Sequence, residues 1–203
     1  MTAQAASFKT AAASADCELV TRAIAGREES FAELVRRYQR PIAAYVYRMV
    51  GDYDAALDLT QEVFIKVYGS LARYRPEFKF STWIYRIAHN AAIDHLRRAG
   101  GARIEDLCAE GEGGRPFERP LASAAPSPEQ ESERSERRAE IESVVRELPP
   151  AYRELIVLRH AHDLSYDEIA EVTGLPLGTV KNRIFRAREA MRSLLVGRGI
   201  TGV

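Results

Sequence analysis

Residues 164 to 191 read LSYDEIAEVTGLPLGTVKNRIFRAREAM, two short helical patterns joined by TGLP, and no other stretch narrows the fold as far. Ser165 and Glu168 stand in capping-box register, Ala170 is small where two helices could cross closely, and Gly174 can take a left-handed turn. Pro176 then suits a first helical turn, so the segment spells helix-turn-helix. In the second helix Val180, Ile184, Ala187, Met191 and Leu194 keep the three-four spacing of a core-facing stripe. At about 100° per residue, Phe185 lies roughly 140° from Val180, in line with Lys181 and Asn182 and next to Arg186. An aromatic kept off the apolar stripe among donors suits a major groove, where it meets a thymine methyl while Asn or Arg reads base edges. Arg183 and Arg188 suit phosphates, which position a protein without specifying a sequence. The plainer reading is a solvated basic helix with Phe185 tucked against a neighbour. The turn chemistry and the basic face coincide at the register a helix-turn-helix requires, which favours DNA.

Upstream, DCELVTRAIAG places Leu19, Val20, Ala23 and Ile24 at helical spacing behind Asp16 as a cap, with Gly26 as the stop. Phe31, Leu34, Val35, Tyr38, Ile42, Tyr45, Val46 and Met49 mark a second helix, bent by Pro41. A third carries Ala56, Leu59, Val63, Val67 and Leu71 on one side, with Asp58, Gln61, Glu62 and Lys66 on the other. ARYRPEFKF reads as a loop because Pro76 disfavours helix before it. A fourth helix is then expected behind a Ser81 or Thr82 cap, through Ile84, Ile87, Ala88, Ala91 and Leu96. After Arg98 the composition turns to Gly, Pro, Ser and acid, and residues 99 to 135 read as a flexible linker. Helical pattern returns with Ile141, Val144, Val145 and Leu148, and after LPP with Leu155, Ile156 and Leu158. No strand alternation or internal repeat is found. The expected architecture is all-α: residues 16–98 and 136–197 form two small helical modules on a tether, with tails at 1–15 and 198–203.

Twenty-nine basic residues balance twenty-nine acidic ones, so net charge is silent about partners while its distribution is not. Residues 73 to 98 hold six cations against two acids, residues 176 to 192 five against one, and the linker between them is acidic. In the first basic block Tyr74, Phe78, Phe80, Trp83 and Tyr85 are interleaved with Arg73, Arg75, Lys79 and Arg86. Aromatics mixed with cations in a loop and helix start can stack and cradle unpaired bases. Equally, Phe80 and Trp83 could plug a small core. On the helix that follows, Arg86, Asn90 and Asp94 fall four apart and so share one stripe, which offers a cation, an amide and a carboxylate.

Taken in order, DLTQEVFIKVY, FSTWIYRIAHNAAIDHLRR and the helix-turn-helix segment resemble the extracytoplasmic-function group of bacterial RNA polymerase sigma factors, of the sigma-70 family. The resemblance implies a promoter-specificity subunit, not an enzyme and without a cofactor, made of sigma region 2 and sigma region 4. It implies that Asp58, Gln61, Glu62 and Lys66 dock on the clamp coiled coil of the largest subunit of core polymerase, with a further contact to the flap of the second largest. On charge pattern alone that face would read as solvated. It implies that Arg75, Phe78, Lys79, Trp83, Arg86, Asn90, Asp94, Arg97 and Arg98 serve recognition and melting of the -10 element. Lys181, Asn182, Arg183, Phe185, Arg186 and Arg188 would serve the -35 element. An anti-sigma factor is the family's typical partner. The linker is longer and more acidic than the family needs, and the alanine-rich start from Thr2 to Ala15 has no counterpart in it.

Two other classes compete. A stand-alone helix-turn-helix regulator explains residues 164 to 191 but not the aromatic and basic cluster. A metal protein or enzyme would have to use His89, His95, His160, His162 and Cys108, which are split between modules and complete no metal-ligand spacing. Cys17 and Cys108 make no disulfide framework, as befits a reducing cytoplasm, and no run is apolar enough to export or anchor the chain. A cytoplasmic protein is expected, held at the membrane, if at all, through an anti-sigma factor.

Overall fold

A computed structural model describes residues 15–100 and 128–200, and every regular element among them is helical. The chain divides into two compact units. The first contains α1 (15–24), α2 (Glu28–Val50), α3 (Tyr53–Ser70), a single tight turn at Leu71–Arg73 and α4 (Phe80–Gly100). Gly26 (φ 86°) and Gly51 (φ 78°) take the left-handed conformation that ends α1 and α2, which lets the chain reverse twice within a few residues. Glu28 and Glu29 lie in the first turn of α2, where the helix dipole favours negative charge, and Pro41 sits inside that helix without ending it. Asp52 caps α3 by accepting from the Ala55 N–H at 2.7 Å.

Leu34, Ile42, Val46 and Met49 of α2, Val63 and Val67 of α3, and Phe80, Ile84 and Ala88 of α4 are almost wholly buried and form a three-helix core. Two caps differ from expectation. The fourth helix starts at Phe80 rather than after Ser81 or Thr82, and the Lys79 carbonyl accepts from the Trp83 N–H at 3.1 Å. Burying Phe80 to 1% exposure recruits the preceding turn into the helix and puts Thr82 inside. Asp16 does not cap α1. It lies within the helix at 5% exposure, and its carboxylate accepts from Tyr38 and Arg37 of α2.

The second unit contains α5 (Pro128–Glu147), α6 (Pro150–Ile156), a wider turn continuing α6 over Val157–Ala161, and α8 (Leu177–Gly197). Helix α5 begins inside the stretch expected to be linker. PEQESERS opens with proline at a helix start and continues with good helix formers, so local propensity carries the helix there without an apolar period. Val144, Leu148, Leu155, Leu158, Val180, Ile184, Ala187 and Leu195 fill its core. Leu195 closes the stripe on α8 in place of Met191 and Leu194, which stay half-buried, because the chain folds back after the helix and the Ile200 N–H donates to the Leu195 carbonyl at 3.0 Å. Helix α7 (Tyr166–Thr173) groups with the first unit.

One core group gives the second unit a pH dependence. Glu154 on α6 is 3% exposed, and burial, opposed in part by the Arg183 guanidinium, raises its carboxyl from 4.5 to about 8. Between those values the folded state keeps a proton that the unfolded chain has released. The stabilisation is therefore complete below pH about 4.5 and is lost as pH rises toward about 8. Glu154→Gln should flatten that decline in urea unfolding series across the range. An equally steep decline in the variant would place its cause elsewhere.

Candidate nucleic-acid interface

The outer face of α3 combines charge with apolar surface. Asp58, Gln61 and Lys66 are exposed, and Lys66 Nζ pairs with Glu62 Oε1 at 2.7 Å. That hydrogen bond, with the charges of Lys66 and Arg98, holds the Glu62 carboxyl below its ordinary value. Leu57, Ile65 and Tyr68 stand exposed among these residues, Ile65 at 72%. They recur at the same three-four spacing as Asp58 and Gln61, so the face is amphipathic rather than merely polar. The sequence reading missed these three. Their signal was their failure to fit the buried stripe of Ala56, Leu59, Val63 and Val67.

The loop between α3 and α4 separates its aromatics by burial. Phe80 and Tyr85 are core residues, Tyr74 and Trp83 are half-buried, and Phe78 is 46% exposed. Phe80 meets Tyr74 at 5.8 Å and Trp83 at 5.7 Å between ring centroids, and Tyr74 meets Trp83 at 5.4 Å. The Tyr74 hydroxyl donates to the Phe78 carbonyl at 2.6 Å, and the Phe78 N–H donates to the Arg75 carbonyl at 3.1 Å. The loop is thus tied to the aromatic floor beneath it while the Phe78 ring points away from the core. Arg75 and Lys79 are exposed, and Lys79 Nζ lies 2.7 Å from Glu168 Oε1 of the same unit.

Behind that loop the stripe on α4 is fully presented. Arg86, Asn90, Asp94, Arg97 and Arg98 are all exposed, and Arg97 reaches Asp94 only at 3.8 Å. His89, between Arg86 and Asn90, is turned inward beside the Tyr45 hydroxyl at 3.5 Å. Burial first, and then the charges of Arg97 and Arg86, lower its pKa to about 4, so the ring is neutral at physiological pH. It belongs to the core.

At the end of α7, Gly174 takes φ 73° and its N–H donates to the Ala170 carbonyl at 2.9 Å. Pro176 sits one residue earlier than expected, at the cap of α8 with extended backbone, and its carbonyl accepts from the Val180 N–H at 3.0 Å. No acid lies in the first turn of α8, which leaves its amide dipole open to anions. Lys181 and Asn182 are exposed, while Arg183, Phe185, Arg186 and Arg188 are half-buried. Arg188 Nη2 lies 3.4 Å from His160 Nε2, and burial followed by Arg188 and Arg159 lowers the pKa of that histidine. The geometry offers a basic helix face with one amide and one aromatic, which matches the chemistry of base edges and phosphates. Among the described residues no group of histidine, cysteine and carboxylate side chains could hold a metal ion.

Comparison with known proteins finds a family for each of two segments of the chain. Residues 34–102 match sigma-70 region 2, and residues 138–191 match sigma-70 region 4. The chain is 40% identical to the RNA polymerase sigma-H factor of Pseudomonas aeruginosa over 89% of its length and 93% of that protein. It is 36% identical to the ECF RNA polymerase sigma factor SigW of Bacillus subtilis, covering 84% and 91% respectively. With the ECF RNA polymerase sigma-E factor of Escherichia coli K12 it shares 39% identity over 87% and 92%. Among solved structures, CnrH in complex with the cytosolic domain of CnrY aligns with TM-score 0.65 at 27% identity, covering 90% of this chain and 98% of that one.

Proposed function

The chain belongs to the extracytoplasmic-function group of sigma-70 factors, a family of transcription initiation factors and not of enzymes, and on that premise we propose how its surfaces divide the work. The outer face of α3, with Asp58, Gln61, Glu62 and Lys66 and the apolar residues between them, docks on the clamp coiled coil of the largest subunit of core polymerase. The face of α8 bearing Lys181, Asn182, Phe185 and Arg186 reads the -35 element, with Arg183 and Arg188 on flanking phosphates. Phe78 and the stripe through Arg86, Asn90 and Asp94 take unpaired bases of the -10 element, with Arg75, Lys79, Trp83, Arg97 and Arg98 around them. The acceleration of transcription comes from binding the melted promoter better than the duplex, while bond formation belongs to the polymerase.

The observation that carries this reading over a stand-alone regulator is the exposed stripe on α4 beside an exposed Phe78. A duplex hides both the faces and the pairing edges of its bases, so that combination serves a protein that meets single strands. A partner protein that masks these surfaces is part of the same reading. The family resemblance implies an anti-sigma factor, and CnrH, a structural relative, was solved with the cytosolic domain of CnrY. No helix among the described residues is long and apolar enough to cross a membrane, and we place the protein in the cytoplasm, with any membrane attachment supplied by that partner.

Phe185→Ala and Arg186→Ala test the duplex half. Each should weaken holoenzyme binding to a -35 element by about 1 to 3 kcal/mol and relax the base preference at one position. Unchanged selectivity across a set of single-base promoter variants, with the helical circular dichroism retained, would remove α8 from the role.

A further inference from the structure

Helix α1 precedes the segment matched to sigma-70 region 2, which begins at residue 34, and yet it sends one side chain into the support of the aromatic loop. Asp16 is 5% exposed. A carboxylate removed from water to that extent persists only with close partners, and it has two from α2. The Tyr38 hydroxyl donates to Oδ2 at 2.5 Å, and Arg37 Nη1 lies 3.0 Å from Oδ1. Tyr38 then sets its ring edge-on against Phe80, centroids 5.3 Å apart. Phe80 is the floor on which Tyr74 and Trp83 rest, and Tyr74 holds the Phe78 carbonyl. A continuous series of contacts thus runs from α1 to the backbone of the residue that offers its ring to solvent.

We infer that Asp16 is a positioning residue for single-stranded -10 recognition: by fixing Tyr38 against Phe80, it sets the floor that holds the Phe78 loop in its base-accepting geometry. The inference rests on the -10 reading proposed above. Burial and the Asp16 hydrogen bond both raise the Tyr38 pKa, so the phenol remains a donor throughout the physiological range. Core packing alone accounts for an apolar residue on α1 such as Val20, 2% exposed, but not for a buried carboxylate bonded to the tyrosine of α2 that meets Phe80 edge-on.

Trp83 is the only tryptophan of the chain, so its emission reports on the floor directly. Asp16→Ala, Asp16→Asn, Tyr38→Phe and the double variant Asp16→Ala with Tyr38→Phe would be made in the full chain. Their melting curves would be compared, together with Trp83 emission in the full chain. Each would then be assembled with core polymerase and titrated with the single-stranded -10 strand of a promoter at which the parental holoenzyme starts, and with duplex -35 DNA. The expected result is an about tenfold loss of single-strand affinity in Asp16→Ala and in Tyr38→Phe, with no further loss in the double variant. Trp83 emission should shift in parallel, and duplex -35 affinity should stay unchanged. Asp16→Asn keeps an acceptor for Tyr38 and should fall between parent and Asp16→Ala. The inference is overturned by parental single-strand affinity in any folded Asp16 variant, by additive losses in the double variant, or by equal losses on single-strand and duplex DNA. Phe78→Ala and Asn90→Ala run alongside as controls. If they too leave single-strand binding intact, the -10 reading itself fails; if they impair it while folded Asp16 variants do not, only the role of Asp16 fails.

Discussion

Reversing Asp58 to Arg together with Ile65→Asp on the outer face of α3 should reduce association with core polymerase at least about a hundredfold, or roughly 3 kcal/mol. Both side chains are exposed, Ile65 at 72%, so neither change removes a buried contact within the first unit and its melting temperature should move little. The two substitutions act on different terms. Asp58→Arg inverts a charge at the docking face, which changes encounter and pairing, whereas Ile65→Asp introduces a carboxylate where an apolar side chain would be desolvated in the complex. Ile65→Asp alone should account for the larger share, and Glu62→Arg for a smaller one because Glu62 already pairs with Lys66. Co-purification of tagged core polymerase with the double variant at the parental ratio would exclude this face from docking.

The second large effect is selective for strand opening. Phe78→Ala with Asn90→Ala removes one stacking surface and one edge contact. Asn90 lies about 15 Å along α4 from Phe80, so Phe78 and Asn90 take different bases. Stacking is worth about 1 to 3 kcal/mol per base and an edge contact about as much, so the pair should cost about 2 to 6 kcal/mol of open-complex stability. Phe78 is 46% exposed and Asn90 lies on the solvent side of α4, so the fold should tolerate both. Permanganate oxidation of -10 thymines in the holoenzyme complex should drop to the level of duplex DNA, while protection of the -35 region persists. Normal permanganate reactivity would reduce the aromatic cluster to core packing.

That alternative was already open in the sequence, and the structure divides the cluster between the two readings. Phe80 and Tyr85 are buried, as a small core requires, while Phe78 is exposed two residues from Phe80. The α4 stripe was legible in advance because four-residue spacing fixes a helical face whatever else the fold does. The amphipathic faces of α2 and α3, the helix stop at Gly26 and the left-handed turn at Gly174 were legible for the same reason, since period and turn chemistry are local. What escaped depended on tertiary contacts. Asp16 has the composition of a cap and became a buried partner of Tyr38 because α2 brought a phenol and a guanidinium to it. The caps expected at Ser81 or Thr82 yielded to Phe80, whose burial extended the helix upstream. Ile65 and Tyr68 carried an apolar signal at positions off the core stripe, and an apolar residue off the stripe acquires meaning only once its exposure is known. The N-terminal half of α5 carried no apolar period at all, and period was the signal by which the other helices were legible. The reading of residues 1–14 and of the linker from 101 to 127, including Cys108, falls outside the described residues.

The central claim is that one chain reads two promoter elements for the polymerase, one as duplex and one as single strand. Mapping transcript starts made by purified core polymerase on genomic DNA, with and without this chain, tests it most directly. The account predicts a set of starts that appear only when the chain is present and that share two upstream elements at a fixed spacing. Starts lost with Arg186→Ala should be those with the weakest -35 match, and starts lost with Phe78→Ala and Asn90→Ala those with the weakest -10 match. A chain that binds duplex sites by itself and adds no start to the core polymerase pattern would contradict it.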